Sequence, residues 1–372
     1  MNVKKSKFEV YDDLYKTSVN HQIVCKNPNF SDMKAMILAA GFGTRLFPLT
    51  IDRTKPAIPF LGKPLVGYVA EYVARFGFRD VVVNLHHQPD SVIKALGDGA
   101  DYGVNIHYTR EEPDILGTAG ALDNARHLLE DETFLIVNGK IITDIDISKA
   151  IETHKKTGAL ATMVLKENAK REKFTEIEIE DGFVKGFGGF PEQIADSRFQ
   201  IPDSKIQNPK SKIQNPLMFT GIHILEPRVF DYIPRGVYSD IVPSFYNPAI
   251  RGGEPIAAHI TNGNWFELST ISRYLDISLA MLNGVNVFNG VNCRISQNTR
   301  ISDSVIWDEV EIEEGAKLHR TIIADGVRIG SNECYENAAI VRADMVKNCR
   351  EVPEKALRGE YIGDNYVVPL AG

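Results

Sequence analysis

Two glycines and two cations set out the first chemistry this chain could perform. Ala35 to Ala40 is an apolar run long enough for one buried strand, and it ends in Gly41-Phe42-Gly43-Thr44-Arg45, with Thr54-Lys55-Pro56 close behind. A strand feeding a glycine turn is where an α/β sheet meets its ligand. Glycines let the backbone pass close to a polyphosphate and aim N–H groups at it, and Arg45 and Lys55 would add cationic donors. The stretch lacks the Gly-Lys-Ser/Thr end of a Walker loop and the third glycine of a dinucleotide turn. Taken alone, it fits either a phosphate cradle or a tight turn behind a core strand.

A second small-residue stretch, Leu116-Gly117-Thr118-Ala119-Gly120-Ala121-Leu122, stands just before a helical pattern. Small residues there would let a flat base lie against backbone, and N–H groups at the helix start could bond to it. The plainer alternative is a glycine turn that opens a helix.

Leu38 to Thr50, together with Lys55-Pro56 and Pro59, closely resembles the signature of the sugar-1-phosphate nucleotidyltransferases, or NDP-sugar pyrophosphorylases, and most strongly their mannose-1-phosphate guanylyltransferase branch. The segment at Leu116 is similar to the second nucleotide-contacting segment of that family. The resemblance implies nucleotide contacts from Ala39, Ala40, Gly41, Gly43, Thr44 and Arg45, and from Gly117, Thr118 and Ala119. Arg45 and Lys55 would be catalytic, and the sugar-phosphate side would comprise Lys55, Gly139, Lys140, Thr175 and Glu176. The implied substrates are a nucleoside triphosphate and a sugar 1-phosphate, giving an NDP-sugar and pyrophosphate, and the implied cofactor is Mg²⁺.

The departures from that pattern cluster on one side. Asn138-Gly139-Lys140 stands where the family has Asn-Gly-Asp, whose Asp holds Mg²⁺. Glu267 in Trp265-Phe266-Glu267 replaces the second metal carboxylate, leaving it as the one metal candidate. Phe187-Gly188-Gly189-Phe190-Pro191 lacks the family's Glu and Lys, Phe174-Thr175 replaces Tyr-Gly, and Thr54 replaces a proline. Asp144 and Asp146 are nearby acids that could be recruited. Lys140 could instead neutralise phosphate directly, which makes a catalytically impaired nucleotide- or NDP-sugar-binding regulatory subunit the alternative expectation.

The elements that must carry these residues follow from periodicity. Strands are expected near 81–85, 104–108, 133–137, 159–165, 175–180, 219–225 and 255–260, and helices near 64–77, 89–96, 119–129 and 270–282. That alternation implies a Rossmann-like, mostly parallel sheet. After Asn283 apolar beats fall at Ile295, Ile301, Ile306, Ile312, Leu318, Ile323 and Ile329, with intervals of 6, 5, 6, 6, 5 and 6. Such a period suits a parallel β-helix, and the family resemblance makes it left-handed. The expected division is a poorly ordered extension over 1–32, a nucleotidyltransferase domain over 33–282 and a β-helix with its tail over 283–372. Within the second, Ser204 to Pro209 recurs letter for letter at Ser211 to Pro216, so 203–216 reads as an inserted loop.

With 372 residues the chain exceeds one ordinary core, and 43% hydrophobic with 24% charged residues suits a globular protein. A net charge of −7 argues against nucleic acid as a partner. Cys25, Cys293, Cys334 and Cys349 lack the paired spacing of a zinc site, and no apolar run approaches the roughly 20 residues of a bilayer span. A cytoplasmic homo-oligomer is the expectation, with coil edges of the β-helix packing on another subunit.

Overall fold

The computed structural model describes residues 30–169, 172, 174–188, 216–349 and 352–370. Most of the 1–32 extension and all but Pro216 of the repeat loop lie outside them. Phe30 is an exception within the extension, since its ring packs on Phe78 at 5.7 Å.

Nine strands form the main sheet: β1 (Ala35–Leu38), β2 (Asp80–Leu85), β3 (Asn105–Arg110), β4 (Phe134–Asn138), β5 (Ala161–Glu167), β6 (Glu176–Glu180), β7 (Phe183–Phe187), β8 (Leu217–Leu225) and β9 (Ile256–Thr261). Their order is β3-β2-β1-β4-β8-β5-β9-β7-β6. The first four pair in parallel, as the alternating strand and helix pattern requires. Beyond them the sheet is mixed, which corrects the expectation of a mostly parallel one: β8 runs antiparallel to both β4 and β5, and β7 to both β9 and β6. For β7 against β6 the reason is local: after β6 the chain folds back through Asp181-Gly182, both at positive φ (52° and 81°), a two-residue hairpin turn where a crossover helix would be needed to keep strands parallel.

Period-2 alternation splits the sheet between two cores. Ala35 and Ile37 face the helices Leu65–Arg75, Pro89–Leu96 and Ile147–Thr157. Met36 and Val82 face the helix Gly117–Asn124 and the segment from Val229 to Ile250. The helix expected over 119–129 is broken at Ala125, whose N–H reaches both Ala121 and Leu122, and resumes as Arg126–Leu129.

The C-terminal region is a parallel β-helix. Ile295 pairs with Ile312 and Ile312 with Ile329; Ile301 pairs with Leu318, and Ile306 aligns with Ile323 through the neighbouring coil. Partners sit 17 residues apart, as the Arg294–Glu311 and Arg320–Asn337 contacts do, so three of the apolar beats make one coil. An antiparallel hairpin, Glu360–Ile362 with Asn365–Pro369, closes the last coil and was not anticipated. The β-helix core is continuous with Leu46, Phe47, Leu49, Ile58 and Phe60, the apolar side of the glycine-loop region.

Candidate active site

At the carboxyl end of β1 the chain turns through Ala39 and Ala40, which are buried, to Gly41, Phe42 and Arg45, which are exposed. Gly43 sits in left-handed backbone at φ 67°, and a Cβ there would lie 2.7 Å from Cβ of Lys55. Only glycine therefore lets the loop close down on the short 3-10 turn Lys55–Ala57. A Cβ on Gly41 would meet nothing within 4 Å, so the space above Gly41 is open.

The two small-residue segments are joined by a buried polar relay. Ala39 N–H donates to Asn84 Oδ1 at 2.8 Å, Asn84 Nδ2 donates to Glu111 Oε1 at 2.6 Å, and Leu116 N–H donates to Glu111 Oε2 at 2.7 Å. Asn84 is 3% exposed and Glu111 1%. A carboxylate so far from water needs such donors, and in return it fixes the distance between the glycine loop and the second segment. Sequence reading missed both residues, although an Asn interrupting an otherwise apolar β2 was the available signal.

Around Gly117 the helix N–H groups are less open than expected. Thr118 N–H and Oγ1 both contact Asp240 Oδ1 at 3.2 Å, and Ala119 N–H donates to Ser239 O at 2.8 Å. Ala119 is fully buried, and a Cβ on Gly117 would strike Ser239 O at 2.7 Å. Thr118 and Ala119 thus anchor the segment from Tyr238 to Ile241 through their N–H groups. Gly139 is likewise structural: its N–H donates to Leu38 O at 3.0 Å, and a Cβ would lie 2.8 Å from that oxygen.

The sugar-phosphate side is built by a two-stranded ladder, Ile141–Thr143 against Trp265–Glu267, whose register sets Glu267 opposite Ile141. Lys140, one residue earlier, places Nζ 2.5 Å from Glu267 Oε1. The two positions for which the family resemblance implies a metal are therefore together, as an ion pair. Glu267 is 6% exposed; burial pushes its carboxyl up, but Lys140, Lys55 and Arg45 outweigh that and hold it below the usual carboxylate range. Arg273, also missed from sequence, donates from Nε to Glu267 O at 2.8 Å and from Nη1 to Glu172 Oε2 at 2.7 Å. Phe174 meets Trp265 edge-on at 5.4 Å, and Thr175 and Glu176 follow it in the chain.

Lys55 is 8% exposed, and no hydrogen bond or ion pair to its side chain occurs among the described residues. Burial first, then the charges of Lys140, Arg45 and Arg273, against the opposing pull of Glu267, lower its ammonium to about 7. The residues present do not suit Mg²⁺: one carboxylate is already taken by an ammonium, and no group of three His, Cys, Asp or Glu that could hold a metal occurs among the described residues. Asp144 and Asp146 cannot readily substitute. Asp144 accepts from Asn264 N–H and Nδ2 at 2.5 and 2.7 Å, and Asp146 caps the helix Ile147–Thr157 through Ser148 N–H at 3.1 Å.

Comparison with known proteins gives consistent matches. A family model described as nucleotidyl transferase matches residues 34–284, and one described as GlmU-like, C-terminal hexapeptide, matches 262–335. The UTP–glucose-1-phosphate uridylyltransferase of Synechocystis sp. is 30% identical over 337 residues, 85% of this chain and 82% of that protein. Mannose-1-phosphate guanylyltransferase 1 of Arabidopsis thaliana is 27% identical over 353 residues, 88% of this chain and 91% of its own. A crystal structure from Bacillus anthracis, provisionally assigned as a glucose-1-phosphate thymidylyltransferase, aligns with a TM-score of 0.53 at 20% identity, over 68% of this chain and 96% of that one. No helix among the described residues is long and apolar enough to cross a membrane.

Proposed function

We propose, because this chain belongs to the nucleotidyl transferase family, that it joins a sugar 1-phosphate to a nucleoside triphosphate, making a GDP-mannose-like NDP-sugar and releasing pyrophosphate. The observation that carries this reading is the buried, unpartnered Lys55 held by Gly43 beneath the open glycine loop, next to Arg45. In the reaction an oxygen of the sugar phosphate attacks the α-phosphorus, and the bond to the β-phosphate oxygen breaks. Arg45 would neutralise charge on the triphosphate, and Lys55 would hold the sugar phosphate against the α-phosphorus, since positioning and charge stabilisation dominate phosphoryl chemistry. Gly41 would leave room for the phosphates, and the rim of Thr175 and Glu176 would face the sugar.

Likeness to the plant guanylyltransferase over most of both chains supports the choice of GDP-mannose. The regulatory-subunit alternative is not favoured, as the relatives are named as transferases. We place the enzyme in the cytoplasm, with a left-handed coil after residue 282 and a homo-oligomer formed through the exposed edge strand Glu360–Ile362. The test is a pyrophosphate-release assay with GTP, UTP, dTTP and ATP, each with mannose 1-phosphate or glucose 1-phosphate. Release is expected only when both substrates are present, and replacing Arg45 by Ala should reduce kcat/KM more than ten-fold, the loss of one good charge-assisted contact. Pyrophosphate release that ignores the sugar phosphate would contradict the assignment.

A further inference from the structure

We propose that this chain binds phosphate without a divalent cation, with Lys140 standing where the ion would be and Lys55, Lys140, Arg45 and Arg273 forming a cationic nest that takes a pyrophosphate-bearing ligand directly. The inference rests on the assignment of the glycine loop and Lys55 to a nucleoside triphosphate. Three observations support it. Lys140 Nζ, 2.5 Å from Glu267 Oε1, already pairs with the carboxylate that the family resemblance makes the metal candidate. The charge balance is wrong for a cation: Lys140, Arg45 and Arg273 all act on Lys55, against the single carboxylate Glu267, while Glu172 pairs with Arg273. Adding a divalent ion would increase an existing positive excess, whereas a phosphate cancels it.

The third observation is Lys55 itself. It is 8% exposed, and its side chain has no hydrogen-bond or ion-pair partner among the described residues. A lysine so largely buried, with no protein group on its ammonium, suits an anion entering from the side of Gly41, where a Cβ would meet nothing. Arg45 lies exposed on that same side. Glu267 then serves to aim Lys140, and Arg273, tied to Glu267 O and Glu172, fixes the far wall of the nest.

The experiment is isothermal titration of inorganic pyrophosphate, GTP and UTP into the full chain, once with Mg²⁺ and once with EDTA. Pyrophosphate and at least one triphosphate should bind in EDTA with a Kd within about three-fold of the Mg²⁺ value. The double variant Lys140→Met with Glu267→Gln, which leaves no buried carboxylate unpaired, should weaken binding in EDTA at least ten-fold with an unchanged melting temperature. Lys140→Asp should bind at least ten-fold more tightly with Mg²⁺ than without. Wild-type affinity that collapses in EDTA, or a folded double variant with undiminished affinity, would overturn the inference while leaving the transferase reading intact. Absence of binding by all three ligands in both buffers would overturn both.

Discussion

Lys55 is the side chain on which the site turns, because its protonation decides how strongly an anion is held. Its ammonium is lowered from 10.5 to about 7 by burial and then by Lys140, with Arg45 and Arg273 adding to this and Glu267 opposing it. Between those two values the unfolded chain holds a proton that the folded protein lacks, so this residue makes stability rise as pH increases from about 7 towards 10.5. Binding has the opposite sign, since the phosphate prefers the charged amine. A nucleoside triphosphate, unlike free pyrophosphate, has lost its last phosphate proton by roughly pH 8, so loss of triphosphate affinity from about pH 8 to 9 belongs to the protein. Calorimetry in buffers of different ionisation enthalpy should show proton uptake on binding at pH 8.5, and Lys55→Arg, charged throughout, should abolish it. Wild-type binding with no proton uptake at pH 8.5 would count against this role.

At the scale of elements, the two glycines of the loop do different work and can be separated. Gly43→Ala forces a Cβ into left-handed backbone and against Lys55 at 2.7 Å, so it should lower both the melting temperature and triphosphate affinity. Gly41→Ala meets nothing in the protein and should leave the melting temperature unchanged while weakening triphosphate binding, because the new methyl occupies ligand space. Thermal unfolding with and without GTP distinguishes them; a Gly41→Ala protein with normal affinity would show that phosphates do not pass over that residue. The buried relay is open to the same kind of test. Glu111→Gln puts one amide donor against either Leu116 N–H or Asn84 Nδ2, and leaving a buried donor unsatisfied should cost about 1–3 kcal/mol, read in a denaturant titration.

Much of this was legible in sequence because it depends on local pattern. The glycine loop, the four parallel strands β1 to β4 and the apolar beats of the β-helix each follow from side-chain period and turn residues within a short window. What escaped depends on distant pairing. Asn84 and Glu111 reveal their bond only when β2 lies beside β3, Arg273 becomes part of the site only when Glu267 is folded next to Glu172, and β8 inserts antiparallel between β4 and β5 for reasons no window of residues contains. The bonds from the N–H groups of Thr118 and Ala119 go to Asp240 and Ser239, acceptors some 120 residues away that no local pattern reveals. The replacement of a metal carboxylate by Lys140 was visible in the chain itself, but its ion pair with Glu267 required the ladder between Ile141–Thr143 and Trp265–Glu267.

Across the whole molecule, the β-helix braces the loop that carries Lys55. Arg53 bonds Asp325 at 2.8 Å and lies over Trp307 at 5.5 Å, while Trp307 Nε1 donates to the Tyr274 hydroxyl at 3.0 Å and that hydroxyl donates to Pro59 O at 2.5 Å. Tyr274→Phe should therefore lower the melting temperature by a few degrees and raise the KM for the triphosphate, although residue 274 touches no substrate. A normal KM in the destabilised variant would mean the brace serves stability alone. If the chain transfers the nucleotidyl group from the triphosphate to a sugar phosphate, the position of an isotope in the products shows it. With mannose 1-phosphate labelled with ¹⁸O in its phosphate and unlabelled GTP, ³¹P NMR should find all the label in the NDP-sugar and none in pyrophosphate; label in pyrophosphate, or GTP consumed to GDP and inorganic phosphate, would contradict it.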